Sequence, residues 1–212
     1  MPAIGNVVAF AAAVAVIVVI PGPSVLFTIS RALTVGRRAA LLTVAGNAAG
    51  VATQALCVAF GIGALVQASA VAYGVLKLVG ACYICFLGVQ AIRHRRSMAR
   101  ALTGRGSAVT PFRAARDGFV VGLTNPKTIV ILVTVAPLFV VPAAGHLALQ
   151  LVVLGLVFAG MALVSDSVWA IVAGTARQWF TRSPRRAAMI GGTGGVVMIG
   201  LGVGIAVTGR TT

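Results

Sequence analysis

The chain has 212 residues, of which 59% are hydrophobic and 9% charged, and its 17 Lys and Arg against 2 Asp and Glu give a formal net charge of +15. A water-soluble fold of this size has no interior large enough for so much apolar surface, a disordered basic tail requires low hydrophobicity, and a nucleic-acid binder carries its charge on a polar surface. The composition points to an all-α integral membrane protein whose basic residues lie in its loops.

A transmembrane helix needs about 20 mostly apolar residues. Six stretches meet that requirement, near Ile4–Leu33 (with an interruption), Ala39–Val66, Ser69–Ile92, Gly118–Val141, Leu147–Ala173 and Ala188–Thr208. Their apolar runs are continuous, without the alternation of a β-barrel strand.

The first stretch has no Lys or Arg before Arg31, so it lacks the basic start of a secretory signal and is expected to be retained. Pro21-Gly22-Pro23 interrupts it, because two prolines remove two backbone donors and clash with the preceding turn. Irregular backbone at membrane depth is tolerated only where protein or a water-filled cavity satisfies it. The second stretch carries Asn47 and Gln54 on an otherwise apolar helix. In the third, Lys77 lies near enough to the outer end to snorkel toward water. Cys82 and Cys85 have the spacing of a redox or metal pair, but no second pair or carboxylate accompanies them, and Cys also serves as a small hydrophobe. The fourth stretch is broken at Thr124-Asn125-Pro126-Lys127, where Asn125 suits a helix cap and Pro126 the first turn of a new helix. That places Lys127 at a helix start within or near the membrane. Asp166, in the fifth stretch, is the one acid inside an expected span; Asp117 lies beside Arg116 at a loop boundary as a local pair or helix-start residue. Intramembrane charges are costly and mark functional or paired positions. Asn47, Asp166 and the two breaks fall at similar depth. A carboxyl there can take up a proton on one side and release it on the other, so Asp166 is a candidate for proton coupling or for pairing with a substrate ammonium; a static ion pair with Lys127 or an arginine is the other reading. Gln54, Ser165 and Ser167 are further candidates to line the same cavity.

Fourteen of the fifteen arginines fall in the connections after the first, third and fifth stretches. The positive-inside rule makes those loops cytoplasmic and both termini external. Three spans on each side of the central basic loop give two halves of opposite orientation. The domain expectation is one membrane domain, with halves at about 1–92 and 118–212 joined by a loop over about 93–117. Inverted halves with broken helices are a transporter signature; Pro21 and Pro137 fall at comparable places in the first and fourth stretches. Four Gly-x-x-x-Gly patterns, at Gly46/Gly50, Gly118/Gly122, Gly191/Gly195 and Gly200/Gly204, permit close helix approach and self-association. No nucleophile–base pair, phosphate loop or zinc signature is present, so neither an enzyme nor a resident metal or cofactor is expected.

Pro21-Gly22-Pro23-Ser24, then Ser30-Arg31 and Gly36-Arg37-Arg38-Ala39-Ala40, resemble the amino-terminal signature of the LysE/RhtB family of amino-acid exporters, with Ser24 where members often have Asn. Leu76-Lys77-x-x-Gly80-Ala81-x-Tyr83-x-x-x-Leu87-Gly88 is similar to the family's third-span pattern, and Phe119-x-x-Gly122-Leu123-Thr124-Asn125-Pro126-Lys127 to its fourth. Asp166 with Trp169 is similar to a fifth-span acidic position. The resemblance runs in order over nearly the whole chain. It implies a six-span carrier of the bacterial inner membrane that exports an amino acid or derivative in exchange for protons. The expected partners are that substrate, protons and the lipid bilayer, with no nucleic acid. The substrate carboxylate would meet helix starts and Lys127, and its ammonium Asp166 or the carbonyls freed near Pro21. Two other readings stay open: a metal-ion or thiol/redox-linked transporter using Cys82 and Cys85, and a non-transporting scaffold assembled through Gly-rich faces.

Overall fold

The computed structural model describes residues 2–68 and 109–176, together with scattered helical positions between 75 and 93 and between 189 and 207; the side chains of 62–68 are outside the description. Lys77, most of the expected third and sixth spans and residues 94–108 also lie outside the described residues.

Every described element is helical. Helix α1 spans Ile4–Val19 and α2 Pro23–Thr34. Gly36, at φ +125°, turns the chain into α3 over Arg37–Ala68, a backbone angle open to glycine because it has no Cβ. Helix α4 spans Pro111–Leu123, α5 Pro126–Thr134 and α6 Leu147–Thr175, with two 3-10 turns, Ala136–Phe139 and Pro142–Ala144, between the last two. The Arg37–Gly61 part of α3 and the whole of α6 are each long and apolar enough to cross a membrane. Helices α1 and α2 qualify together as a pair bent by 49°, and α4 with Pro126–Phe139 as a pair bent by 42°. The described residues therefore hold two candidate spans, or four if each bent pair crosses as one.

One boundary differs from the sequence expectation. Helix α4 begins at Pro111, so Arg113, Arg116 and Asp117 lie on a helix and not in a loop over 93–117. The cause is local: Thr110 Oγ1 accepts from the Arg113 amide at 3.3 Å, and Pro111 occupies the first helical position, where its missing N–H costs nothing. The bend of the second pair falls at Asn125–Pro126, while Pro137 sits in the 3-10 turn beyond it.

The two bent pairs run antiparallel. Asn6 at the start of α1 donates to the Phe139 carbonyl at 3.0 Å, and Arg31 near the end of α2 pairs with Asp117 of α4 at 2.9 Å. Helices α3 and α4 meet backbone to backbone. A Cβ on Gly46 would strike the Ala115 carbonyl, one on Gly50 the Phe119 carbonyl, one on Gly118 the Thr43 carbonyl and one on Gly122 the Asn47 carbonyl. The first two Gly-x-x-x-Gly patterns are thus one interlocked seam, and it fixes Asn47 in place.

Two apolar clusters form the core. One gathers Phe10, Val14 and Ile17 of α1, Val51 and Ala55 of α3, Ile131 of α5 and Leu154 and Phe158 of α6. The other gathers Val25, Ile29 and Leu33 of α2, Val44 of α3 and Ala170 and Ala173 of α6. On α3, on α6 and along the first bent pair, the residues between these clusters are Asn47, Asp166 and the Pro21–Pro23 break. The polar groups form a band between two apolar layers.

Candidate functional site: two broken helices and a buried acid

Helix α1 stops because Pro21 and Pro23 have no N–H with which to continue it. A helix end leaves its last carbonyls without partners, and at membrane depth each must find one in the protein. Four successive carbonyls, Ile17 to Ile20, are met by side chains from the second bent pair and α6. Lys127 Nζ donates to Ile17 O at 2.6 Å and to Ile20 O at 2.8 Å. Ser165 Oγ reaches Val18 O at 3.5 Å, and Trp169 Nε1 donates to Val19 O at 3.1 Å. The amides that would have served Ile17 and Val19 belong to Pro21 and Pro23, so Lys127 and Trp169 stand in for donors the sequence removed. Gly22 makes room: a Cβ there would lie 2.9 Å from Lys127 Cδ.

The second break is closed differently. Asn125 Oδ1 accepts from the Lys127 amide at 3.1 Å, capping α5 behind Pro126, and Asn125 Nδ2 donates to Ser24 Oγ of α2 at 3.1 Å. Gln54 Nε2 of α3 donates to Leu123 O at 2.7 Å, at the end of α4. The starts of α2 and α5 are therefore joined side by side, and the two breaks are one locus.

Asp166 completes it. Its side chain is buried, with 2% of the residue exposed, and Asn47 Nδ2 donates to Asp166 Oδ2 at 3.0 Å. The ion-pair alternative is not what forms: among the described residues no cation lies within 4.0 Å of Asp166, and the ion pairs that do form converge on Asp117, from Arg31, Arg113 and Arg116. Lys127 is 6% exposed and its ammonium is engaged with carbonyls.

Of the residues singled out from sequence, Pro21, Gly22, Pro23, Ser24, Asn47, Asn125, Pro126, Lys127 and Asp166 meet in this band, and Gln54 and Ser165 join them. Ser167 turns back on its own helix, donating to Leu163 O at 2.6 Å. Thr28 was not anticipated. It is fully buried one turn beyond Ser24, and its Oγ1 has no hydrogen-bond partner, as is true of Asn47 Oδ1 and Gln54 Oε1. Its i, i+4 relation to Ser24 was the one available signal. Among the described residues no three His, Cys, Asp or Glu side chains gather as a metal site, and Cys82 is exposed. The arrangement offers a buried carboxyl, an ammonium held on the freed carbonyls of a helix end, and buried oxygen acceptors without partners beside them.

Residues 15–209 match a protein family described as LysE type translocator. The chain is 33% identical over 136 residues to an uncharacterized membrane protein of Vibrio cholerae, covering 64% of this chain and 65% of that one. It is 28% identical over 159 residues to the homoserine/homoserine lactone efflux protein of Salmonella typhimurium, covering 75% of this chain and 76% of that one. An uncharacterized membrane protein of Bacillus subtilis matches at 22% over 205 residues, covering 93% of this chain and 97% of that one. No solved structure matches the chain.

Proposed function

The chain belongs to the LysE type translocator family, and from that premise we propose that it is a secondary active transporter exporting a small amino acid or amino-acid derivative in exchange for protons. The full molecule, on this reading, crosses the bacterial inner membrane six times as two inverted three-helix halves, with both termini outside. The observation that carries the reading is Asp166: a buried carboxyl bonded to Asn47, with no cation in contact among the described residues, beside two helix breaks. Such a group is suited to exchange a proton, since Lys127 acts on it only through space while the lysine's ammonium is bonded to the Ile17 and Ile20 carbonyls. Rocking of the two antiparallel bent pairs against each other would expose the band to either side in turn.

The substrate class follows from the relatives whose names specify homoserine and homoserine lactone efflux, and from a site that offers acceptors to an ammonium and a hydroxyl. In proteoliposomes carrying a pH gradient, labelled homoserine and related amino acids should move against their own gradient. Asp166→Asn should remove the dependence on the pH gradient while leaving exchange of labelled for unlabelled substrate measurable. Transport by Asp166→Asn with undiminished pH dependence would refute the coupling role. No movement of any amino acid by the native protein would refute the export reading.

A further inference from the structure

Lys127 is the second charge buried in the band, and its ammonium is bonded not to Asp166 but to the end of α1. Its ammonium sits where the backbone has an anionic end, since the carbonyl terminus of a helix carries about half a negative charge. Pro21 and Pro23 keep that end permanently open, Gly22 lets the lysine stem pass, and two of the ammonium's three donors are spent on Ile17 O and Ile20 O. A purely structural cap would need no charge; Ser165 and Trp169 close the neighbouring carbonyls with neutral groups.

We infer that the Ile17 and Ile20 carbonyls at the end of α1 form a seat for a primary ammonium, that Lys127 fills it as a tethered stand-in, and that the exported molecule's own ammonium enters by displacing Lys127. The inference rests on the reading of the substrate as an amino compound and adds how that compound is recognised. The displaced Lys127 becomes free to meet the substrate's carboxylate, so an amino-acid zwitterion compensates both halves of the exchange. With no substrate present the lysine returns, and the empty carrier never holds bare carbonyls in the membrane.

The test uses methylammonium, the smallest ion with the required donors, and tetramethylammonium, an ion of equal charge with none. In purified full-length protein, methylammonium chloride should raise the melting temperature of Lys127→Met by about 3 °C or more through binding the folded state. The native protein should need at least about tenfold more of it, because its own ammonium competes. Tetramethylammonium should act on neither. If Lys127→Met does not survive purification, Gly22→Ala is read in the same way, since its new Cβ pushes the lysine stem off the seat while keeping the charge. Equal responses of native and variant protein, or no response of the variant, would overturn the seat. A methylammonium response without transport of any amino acid would support the seat and sink the export reading; transport with no methylammonium response would do the reverse.

Discussion

At the first break a helix end leaves four consecutive carbonyls to be met from outside α1, two of them stripped of their donors by prolines, and three side chains from elsewhere in the chain meet them, one of them charged. At the second break a single proline is preceded by its own cap, and Asn125 together with Gln54 suffices. The contrast shows what the second proline does. Pro126 alone starts a helix at little cost, because a first-turn amide has no partner to lose. Pro21 and Pro23 together strip donors from a helix end, where carbonyls still require them. The first break is satisfied by side chains from other helices, and the second largely by its own cap. On the proposed reading, the binding chemistry would lie at the first break, where a charged side chain covers the carbonyls.

The contrast can be broken at three points. Lys127→Met has the largest expected effect. It leaves two buried carbonyls without a partner, and although it also removes a buried charge, the net loss should be about 2 kcal/mol. A thermal melt of the variant with a midpoint equal to that of the native protein would show that the first break needs no cation. Trp169→Phe comes next. It keeps an aromatic ring, though a smaller one, and loses the bond to Val19 O at the more open edge of the site, so a loss of about 1 kcal/mol is expected. If it cost more than Lys127→Met, the ranking of the two donors would be inverted.

Both breaks were legible in the sequence, because proline acts on its own backbone and needs no context. Asn47 and Asp166 were legible only as polar residues at similar depth; that they touch depends on the α3–α4 glycine seam setting the rotation of α3. The partner of Lys127 was not legible. It depends on α5 lying antiparallel beside α1, and a lysine at a helix start reads equally well as an anion site or as a snorkelling side chain. Arg113 and Arg116 read as loop because charge ordinarily marks water, and Asp117 read as a local pair or helix-start residue at the loop boundary. In the fold Asp117 draws Arg31 from α2 and both arginines from its own helix, and that network sits on a capped helix end. Thr28 and Trp169 acquire their roles wholly from packing.

Gln54→Leu is the smallest expected change and the sharpest test of the contrast. The substitution takes the donor from Leu123 O, which should cost about 1–3 kcal/mol for a buried acceptor. It also removes Gln54 Oε1, itself a buried acceptor with no partner, and relieves a penalty of the same kind. The two terms nearly cancel, so a melt within about 0.5 kcal/mol of native is expected. Combined with Lys127→Met, it should give the sum of the single effects to within about 0.5 kcal/mol if the two breaks are energetically separate. Asn125 argues against full separation, because one side chain caps the Lys127 amide and also holds Ser24 of the first pair. A coupling above about 1 kcal/mol in the double variant would therefore locate the connection between the two breaks in Asn125, and its disappearance in an Asn125→Ala background would establish that route.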